Sequence, residues 1–313
     1  NWKTIGSLEM RDLLRGVAEK SRKNDKDIAS IICAESGKPL IECLDEIEWI
    51  ASIFEYYSEI GRDQRGRVVA PVAPNSMSIV VKEPYGVVGC IVPWNYPLLL
   101  MAWKAAPALA AGNTVVVKPS ELTPLSILHW LDVACDHLPK GVLNVITGPG
   151  DTGEALVKHP DTRVIAFTGS VETGKKIAVM AAKQLKKTSL ELGGNDPIII
   201  CDDVDIETAA KGTTWGGLLN AGQVCTSVER VFVMESIADK FIDAVVDETK
   251  KVRLGNPMDG QTDMGPLVSD LQLKKTQDKI KKATSEGARV LCGGKKPEKF
   301  KKGYFFEPTV FDQ

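Results

Sequence analysis

The feature that most restricts the fold of this chain is a repeated exchange of two hydropathy periods between residues 87 and 190. Short runs rich in Val, Ile and Leu fall at 87–92, 114–117, 143–146, 164–167 and 189–190. Stretches with apolar residues at helical spacing lie between them, near 98–111, 125–137, 152–158 and 173–185. Antiparallel strands can be joined by a tight turn. Parallel neighbours need a long return path, and a helix supplies it. The alternation therefore predicts an α/β fold with a doubly wound parallel sheet of the dinucleotide-binding kind.

Residues 6–61 read as helical, with a break at Gly37-Lys38-Pro39 and a second helix from about 41 to 60. A Pro-rich link at 69–74 precedes an exposed strand at 78–84. A second α/β unit starts near 195. It opens with a buried strand at 197–201 and a helix at 206–219 capped by Asp203 or Asp205. A strand at 228–233, a helix at 237–252 and two further helical stretches lead to 288–291. The expected organisation is a dinucleotide domain over 1–194, with a strand excursion near 68–84, and the first part of a catalytic α/β domain over 195–313. The 313 residues are enough for two domains.

Lys and Arg number 39 against 41 Asp and Glu, so no electrostatic footprint for nucleic acid or an anionic membrane is read. The long apolar region 87–117 is interrupted by Pro93, Asn95, Pro97 and Lys104, which is wrong for a membrane span. No signal peptide is read at the start. The seven cysteines (Cys33, Cys43, Cys90, Cys135, Cys201, Cys225 and Cys292) form no CxxC pair, so no metal site is expected. Their odd number argues for free thiols in a reducing, cytoplasmic compartment.

Three segments carry candidate chemistry. Cys225 lies in Asn220-Ala221-Gly222-Gln223-Val224-Cys225-Thr226, a polar, Gly-containing approach unlike that of a core cysteine. Glu191 lies in Glu191-Leu192-Gly193-Gly194-Asn195, where glycines leave room around a carboxylate. An apolar pocket there would raise its pKa toward neutrality and suit a general base. Asn95, in Pro93-Trp94-Asn95-Tyr96-Pro97, offers fixed amide donors for an oxyanion. The bland readings are a buried thiol, a surface glutamate and a turn asparagine. The only histidines, His129, His137 and His159, lie away from these segments, which disfavours a Cys-His hydrolase.

Two segments compete for a pyrophosphate. Gly148-Pro149-Gly150-Asp151-Thr152-Gly153 fits G-x-G-x-x-G but lacks an acid about twenty residues on, where Thr168-Gly169 stands. The other, from Phe167 through Thr168-Gly169-Ser170 to Gly174, also follows a strand and opens a helix. Spacing does not choose between them. Lys118-Pro119-Ser120-Glu121 ends a strand, and Glu121 could accept from both ribose hydroxyls while repelling a 2′-phosphate. The alternative is a helix cap at Ser120 or Thr123.

Taken together, the Pro-Trp-Asn-Tyr-Pro, Phe-Thr-Gly-Ser, Glu-Leu-Gly-Gly and Gly-Gln-Val-Cys runs resemble the aldehyde dehydrogenase superfamily, nearest to its betaine-aldehyde and aminoaldehyde group. The resemblance implies oxidation of an aldehyde to an acid, with Cys225 as nucleophile. Asn95 and the Cys225 N–H would hold the oxyanion, and Glu191 would activate the water that hydrolyses a thioester. Lys104 would be a proton relay. The resemblance also selects Phe167, Gly169, Ser170 and Gly174 over the glycine fingerprint, with Gly150 kept as a pocket residue. Val92, Trp94, Lys118, Ser120, Glu121 and Leu192 complete the expected cofactor contacts, for NAD rather than NADP. Tyr96 and Trp103, seven apart on one helical face, would line the site of an amino- or betaine-type aldehyde. Leu219 stands where some members carry a larger aromatic. A homodimer or homotetramer is implied. The chain departs from the pattern at both ends and is expected to lack a Glu-x-Phe-Gly-Pro motif and a C-terminal strand. A coenzyme A-acylating enzyme and a non-catalytic protein with the same fold remain as alternatives.

Overall fold

The structure, a computed structural model, describes residues 2–63 and 66–312; the expected domain limits at 1 and 313 lie outside the described residues. The chain forms two compact units. The first holds the residues up to Ile28 and Leu44–Leu192; the second holds Ala29–Cys43 and the chain from Gly193 onward.

Three helices open the chain: α1 (Ser7–Lys23), α2 (Asp25–Ser36) and α3 (Leu40–Ile60). In the first unit Leu14, Val17 and Ala18 bury one stripe of α1. Arg22 of α1 reaches Glu48 and Glu55 of α3 and holds both carboxyls below the usual carboxylate range by hydrogen bonding. An exposed antiparallel pair follows, β1 (Arg67–Val69) and β2 (Ser78–Val80). The expected link at 69–74 is thus entered from a strand, because Val69 pairs with Ser78.

The main sheet contains β3 (Val87–Ile91), β4 (Thr114–Lys118), β5 (Leu143–Val145), β6 (Thr162–Thr168) and β7 (Lys187–Glu191). All pairs are parallel and the order is β5-β4-β3-β6-β7. The returns are made by α4 (Pro97–Ala110), α5 (Leu125–Ala134), α6 (Gly150–Lys158) and α7 (Val171–Ala182). Val88, Cys90, Val115, Val117 and Ile165 are buried in the sheet. A Cβ on Gly89 would lie 3.1 Å from Leu156 Cγ of α6, so the bare glycine lets that helix sit close. From β3 the chain winds outward to β5, then crosses back to β6 on the other side of β3. That reversal opens a crevice between the carboxyl ends of β3 and β6.

The second unit contains β8 (Asp196–Ile200), α8 (Ile206–Leu218), β9 (Val228–Val233), α9 (Ala238–Lys251), α10 (Asp270–Ser285), β10 (Arg289–Cys292) and β11 (Val310–Asp312). Strands β8 and β9 pair in parallel; β10 and β11 pair antiparallel. Ile200, Ala210, Phe241 and Val245 form a core between the β8–β9 pair and helices α8 and α9. Asp205, not Asp203, caps α8, accepting from Thr208 N at 2.9 Å. Two expectations fail here. The strand at 197–201 is not buried: Ile199 is 71% exposed, because a two-stranded sheet has helices on one face only. One helix, α10, stands where two were expected. Between α9 and α10 the chain folds back on itself, closed by Arg253–Asp263 hydrogen bonds and a Leu254–Met264 bridge. Gly255, Pro257, Gly260 and Pro266 punctuate that stretch against helix. No helix among the described residues is long and apolar enough to cross a membrane.

Candidate active site

The carboxyl ends of β3, β4, β6 and β7 gather most of the first unit's candidate residues. Val92, just past β3, is buried and donates its N–H to the Lys118 carbonyl at 3.1 Å. Lys118 ends β4 with its stem buried and its Nζ 3.7 Å from Glu121, which is exposed. Ser120 is buried, and its hydroxyl accepts from Leu122 N at 3.2 Å. It therefore shapes a turn. The cap alternative for Ser120 or Thr123 fails, since Pro124 occupies the N-cap of α5.

The two pyrophosphate candidates differ in place. Gly150 opens α6 after β5, an edge strand. Gly169 and Ser170 follow β6, beside the crevice at the winding reversal. Ser170 caps α7, its hydroxyl accepting from Thr173 N at 3.2 Å. The first-turn N–H groups of α7 lack acceptors within the helix and form an anion-attracting end. Gly169 N itself donates to Glu191 O at 3.1 Å and Gly174 N to Ser170 O at 2.9 Å. Their contribution is room: a Cβ on Gly169 would lie 2.5 Å from the buried Phe167 ring, and one on Gly174 2.6 Å from Leu192.

Glu191 pairs with Thr168 at the end of the β6–β7 ladder. Its side chain is exposed, not enclosed by apolar groups as expected, because β7 is the other edge strand of the sheet. Lys104, on α4, is buried and donates from Nζ to Thr168 Oγ1 at 2.5 Å and to Leu100 O at 3.2 Å. Burial pushes the neighbouring Cys90 thiol up to about 12, against the opposing charge of Lys104. The ladder and these bonds bring Lys104, Thr168, Gly169 and Glu191 together.

Asn95 and Trp94 are half-buried in the turn before α4. Glu46 of α3 holds that turn in place. It is fully buried, and its Oε1 accepts from Leu98 N and Leu99 N at 3.0 Å each, satisfying two orphan donors of α4. Tyr96 is the N-cap of α4 and lies buried against Trp49, ring centroids 6.2 Å apart. Trp103 is 48% exposed. The two aromatics expected on one helical face therefore occupy different surroundings, since Tyr96 stands outside the helix proper.

In the second unit Cys225 sits half-buried in a turn that leads into β9. A 3-10 turn, Leu219–Gly222, precedes it. Within that turn Asn220 (φ 49°, ψ 38°) and Ala221 (φ 57°, ψ 34°) are left-handed, and Gly222 follows at φ 74°. Left-handed backbone costs a non-glycine residue about 1–2 kcal/mol, so surrounding bonds must hold this one. Asn220 N donates to Glu42 Oε2 at 2.9 Å. The Gln223 side chain donates to Asn220 O at 3.0 Å and accepts from Val268 N at 3.1 Å. Ser227 N closes the Cys225 turn on Val224 O at 3.2 Å. A Cβ on Gly194 would lie 2.9 Å from the Cys225 carbonyl, so that glycine makes way for the turn. A cavity of about 260 Å³ opens beside Glu42 and Leu219. Asn95, Lys104, Glu191 and all the expected cofactor residues belong to the first unit, and Cys225 to the second.

The sequence matches the aldehyde dehydrogenase family model over residues 1–313. The chain belongs to the aldehyde dehydrogenase family. It is 43% identical to "Aminoaldehyde dehydrogenase 1, peroxisomal" of Malus domestica, over 99% of this chain and 63% of that protein. It is 39% identical to the betaine aldehyde dehydrogenase of Staphylococcus aureus solved in complex with NAD+, with a TM-score of 0.96, covering 99% of this chain and 62% of the other. An E. coli enzyme described as NADP dependent is 37% identical, with a TM-score of 0.95, over 99% of this chain and 64% of the other. The chain thus spans about 63% of the length of such relatives.

Sequence reasoning did not single out four residues of this chain: Glu42, Glu46, Thr168 and Gln223. For the two glutamates a signal existed. Cys43, Ile47, Ile50 and Phe54 form the buried stripe of α3, and Glu42 and Glu46 fall on or beside it. A carboxylate on a core-facing stripe needs a partner.

Proposed function

We propose that the protein of which this sequence forms all or part oxidises an aldehyde to a carboxylic acid with NAD. The Cys225 sulfur adds to the aldehyde carbon, and the Asn95 side-chain amide and the Cys225 N–H hold the resulting oxyanion. Glu191 takes a proton from the water that releases the acid from its thioester with Cys225. NAD, when bound, accepts the hydride. The α7 N-terminus would hold its pyrophosphate, with Gly169 and Gly174 leaving room, and Lys118 and Glu121 would hold the adenosine ribose. Val92, Trp94, Phe167, Ser170 and Leu192 complete that surface, and Lys104 is assigned to proton transfer. The exposed Glu121 carboxylate supports NAD over NADP through repulsion of a 2′-phosphate. An amino- or betaine-type aldehyde is the proposed substrate class, supported by the names of relatives 39% and 43% identical. A reducing, cytoplasmic setting is part of the same reading, supported by seven free thiols.

The observation that carries this reading is the strained, multiply bonded loop that delivers Cys225 in a chain matching the family from end to end. The test is NADH formation by the full-length protein over a panel of small aldehydes. Cys225→Ala should abolish it, and Asn95→Ala should lower kcat by about 10²–10³. A Cys225→Ala variant that still turns over would end the proposal.

A further inference from the structure

We propose that Glu42 is a positioning residue for Cys225, acting through the left-handed run Asn220-Ala221-Gly222. The proposal deepens the reading of Cys225 as nucleophile and rests on it. Glu42 is 9% exposed, and a carboxylate so buried is disfavoured unless its charge and lone pairs are used. Two features use them. Glu42 lies in the first turn of α3, where the helix end favours negative charge. Its Oε2 accepts from Asn220 N, the first amide of the left-handed run, and Asn220 is itself 3% exposed.

The run needs such a hold. Asparagine tolerates left-handed backbone, but Ala221 has no polar side chain to hydrogen-bond locally. Glu42 fixes the front of the run and the two-ended bond of Gln223 fixes the back. A Cβ on Gly222 would lie 3.2 Å from Gly217 O, a tight contact that the bare glycine avoids where the run meets α8. Past Gln223 the chain goes straight into the closed turn that carries Cys225, with Ser227 Oγ tied to the Gly217 carbonyl at 3.3 Å. Removing the acceptor at Glu42 leaves a buried N–H without its partner and lets Asn220 and Ala221 return to right-handed backbone. The thiol then moves with them.

The experiment uses full-length protein carrying Glu42→Leu, Glu42→Gln or Glu42→Asp. The rate of iodoacetamide alkylation at Cys225 is followed by peptide mass spectrometry, with exposed Cys201 as the internal reference. Steady-state kcat and the KM for NAD are measured alongside. Displacement of a reacting group by an ångström can lower rates by about 10²-fold. We therefore expect Glu42→Leu to lower kcat about 10–100-fold while KM for NAD moves less than about twofold. Cys225 labelling should shift by about fivefold or more while Cys201 stays unchanged. Glu42→Gln keeps an acceptor and should stay within about threefold of wild type in both readouts. Glu42→Asp withdraws the carboxylate by one methylene and should fall between; it serves if Glu42→Leu does not fold. Near-wild-type values in both readouts for Glu42→Leu or Glu42→Asp would overturn the proposal, as would Glu42→Gln as damaged as Glu42→Leu. Wild-type protein inactive on every aldehyde, but with Cys225 labelling still governed by Glu42, would instead sink the catalytic reading and leave the positioning role standing.

Discussion

The five-stranded sheet of the first unit and the β8–β9 pair of the second are both parallel, and both are written in Val and Ile. In the first, Val88, Cys90, Val115 and Val117 are buried, with strands on either side of β3 and β4 and helices in every return. In the second, Ile200 is buried against α8 and α9 while Ile199 is 71% and Phe232 54% exposed. A run of branched residues makes a strand. Only its neighbours decide whether the second face is dry.

The largest expected contrast is chemical. Cys90 lies inside β3 and Cys201 just past β8, exposed. With the Cys90 thiol near 12, its thiolate fraction at pH 8 is about 10⁻⁴. Iodoacetamide on folded protein should label Cys201 and leave Cys90 untouched; comparable labelling would erase the difference between the sheets. Next comes packing. Ile165 is fully buried, and Ile165→Ala should cost about 2–5 kcal/mol in a urea titration. Ile199→Ala should stay within about 0.5 kcal/mol. Equal losses would mean that the outer face of β8 is covered in solution. The smallest contrast lies in the caps. Ser170 caps α7 and does not titrate, whereas Asp205 caps α8 and its carboxyl is held below the usual range by its hydrogen bonds to Thr208. A lowered folded pKa means the cap contributes above the ordinary Asp pKa of about 3.9 and is lost as pH falls through the folded value. Amide exchange should therefore show α8 fraying in acid before α7. An Asp205→Ser variant should remove that difference.

The alternation of strand and helix was legible because each period announces itself over a few residues. The three candidate segments stand out only when Cys225, Glu191 and Asn95 are taken with their flanks. What escaped depends on contacts distant in sequence. Ile199 reads as core until the number of neighbouring strands is known. Glu42 and Glu46 fall on or beside the buried stripe of α3, but the backbone N–H groups they accept from lie far along the chain. Of the left-handed run Asn220 and Gly222 are visible as signals; Ala221 between them is not, and the bonds of Glu42 and Gln223 to Asn220 hold it there. The choice between Gly150 and Gly169 is one of topology, since only the strand order separates an edge from a winding reversal.

The pairing of Thr168 with Glu191 has one more implication. Side chains along a strand point up and down by turns, so the direction taken by the Glu191 carboxylate is a matter of parity. One residue added within β7 would send it through to the opposite side of the sheet with its chemistry intact and its address wrong. Two would restore the side but overshoot the tip of the strand by about 7 Å. Insertions among the exposed residues 183–185 escape this arithmetic, so on the proposed role of Glu191 the same added residue should cost far less activity there than within β7.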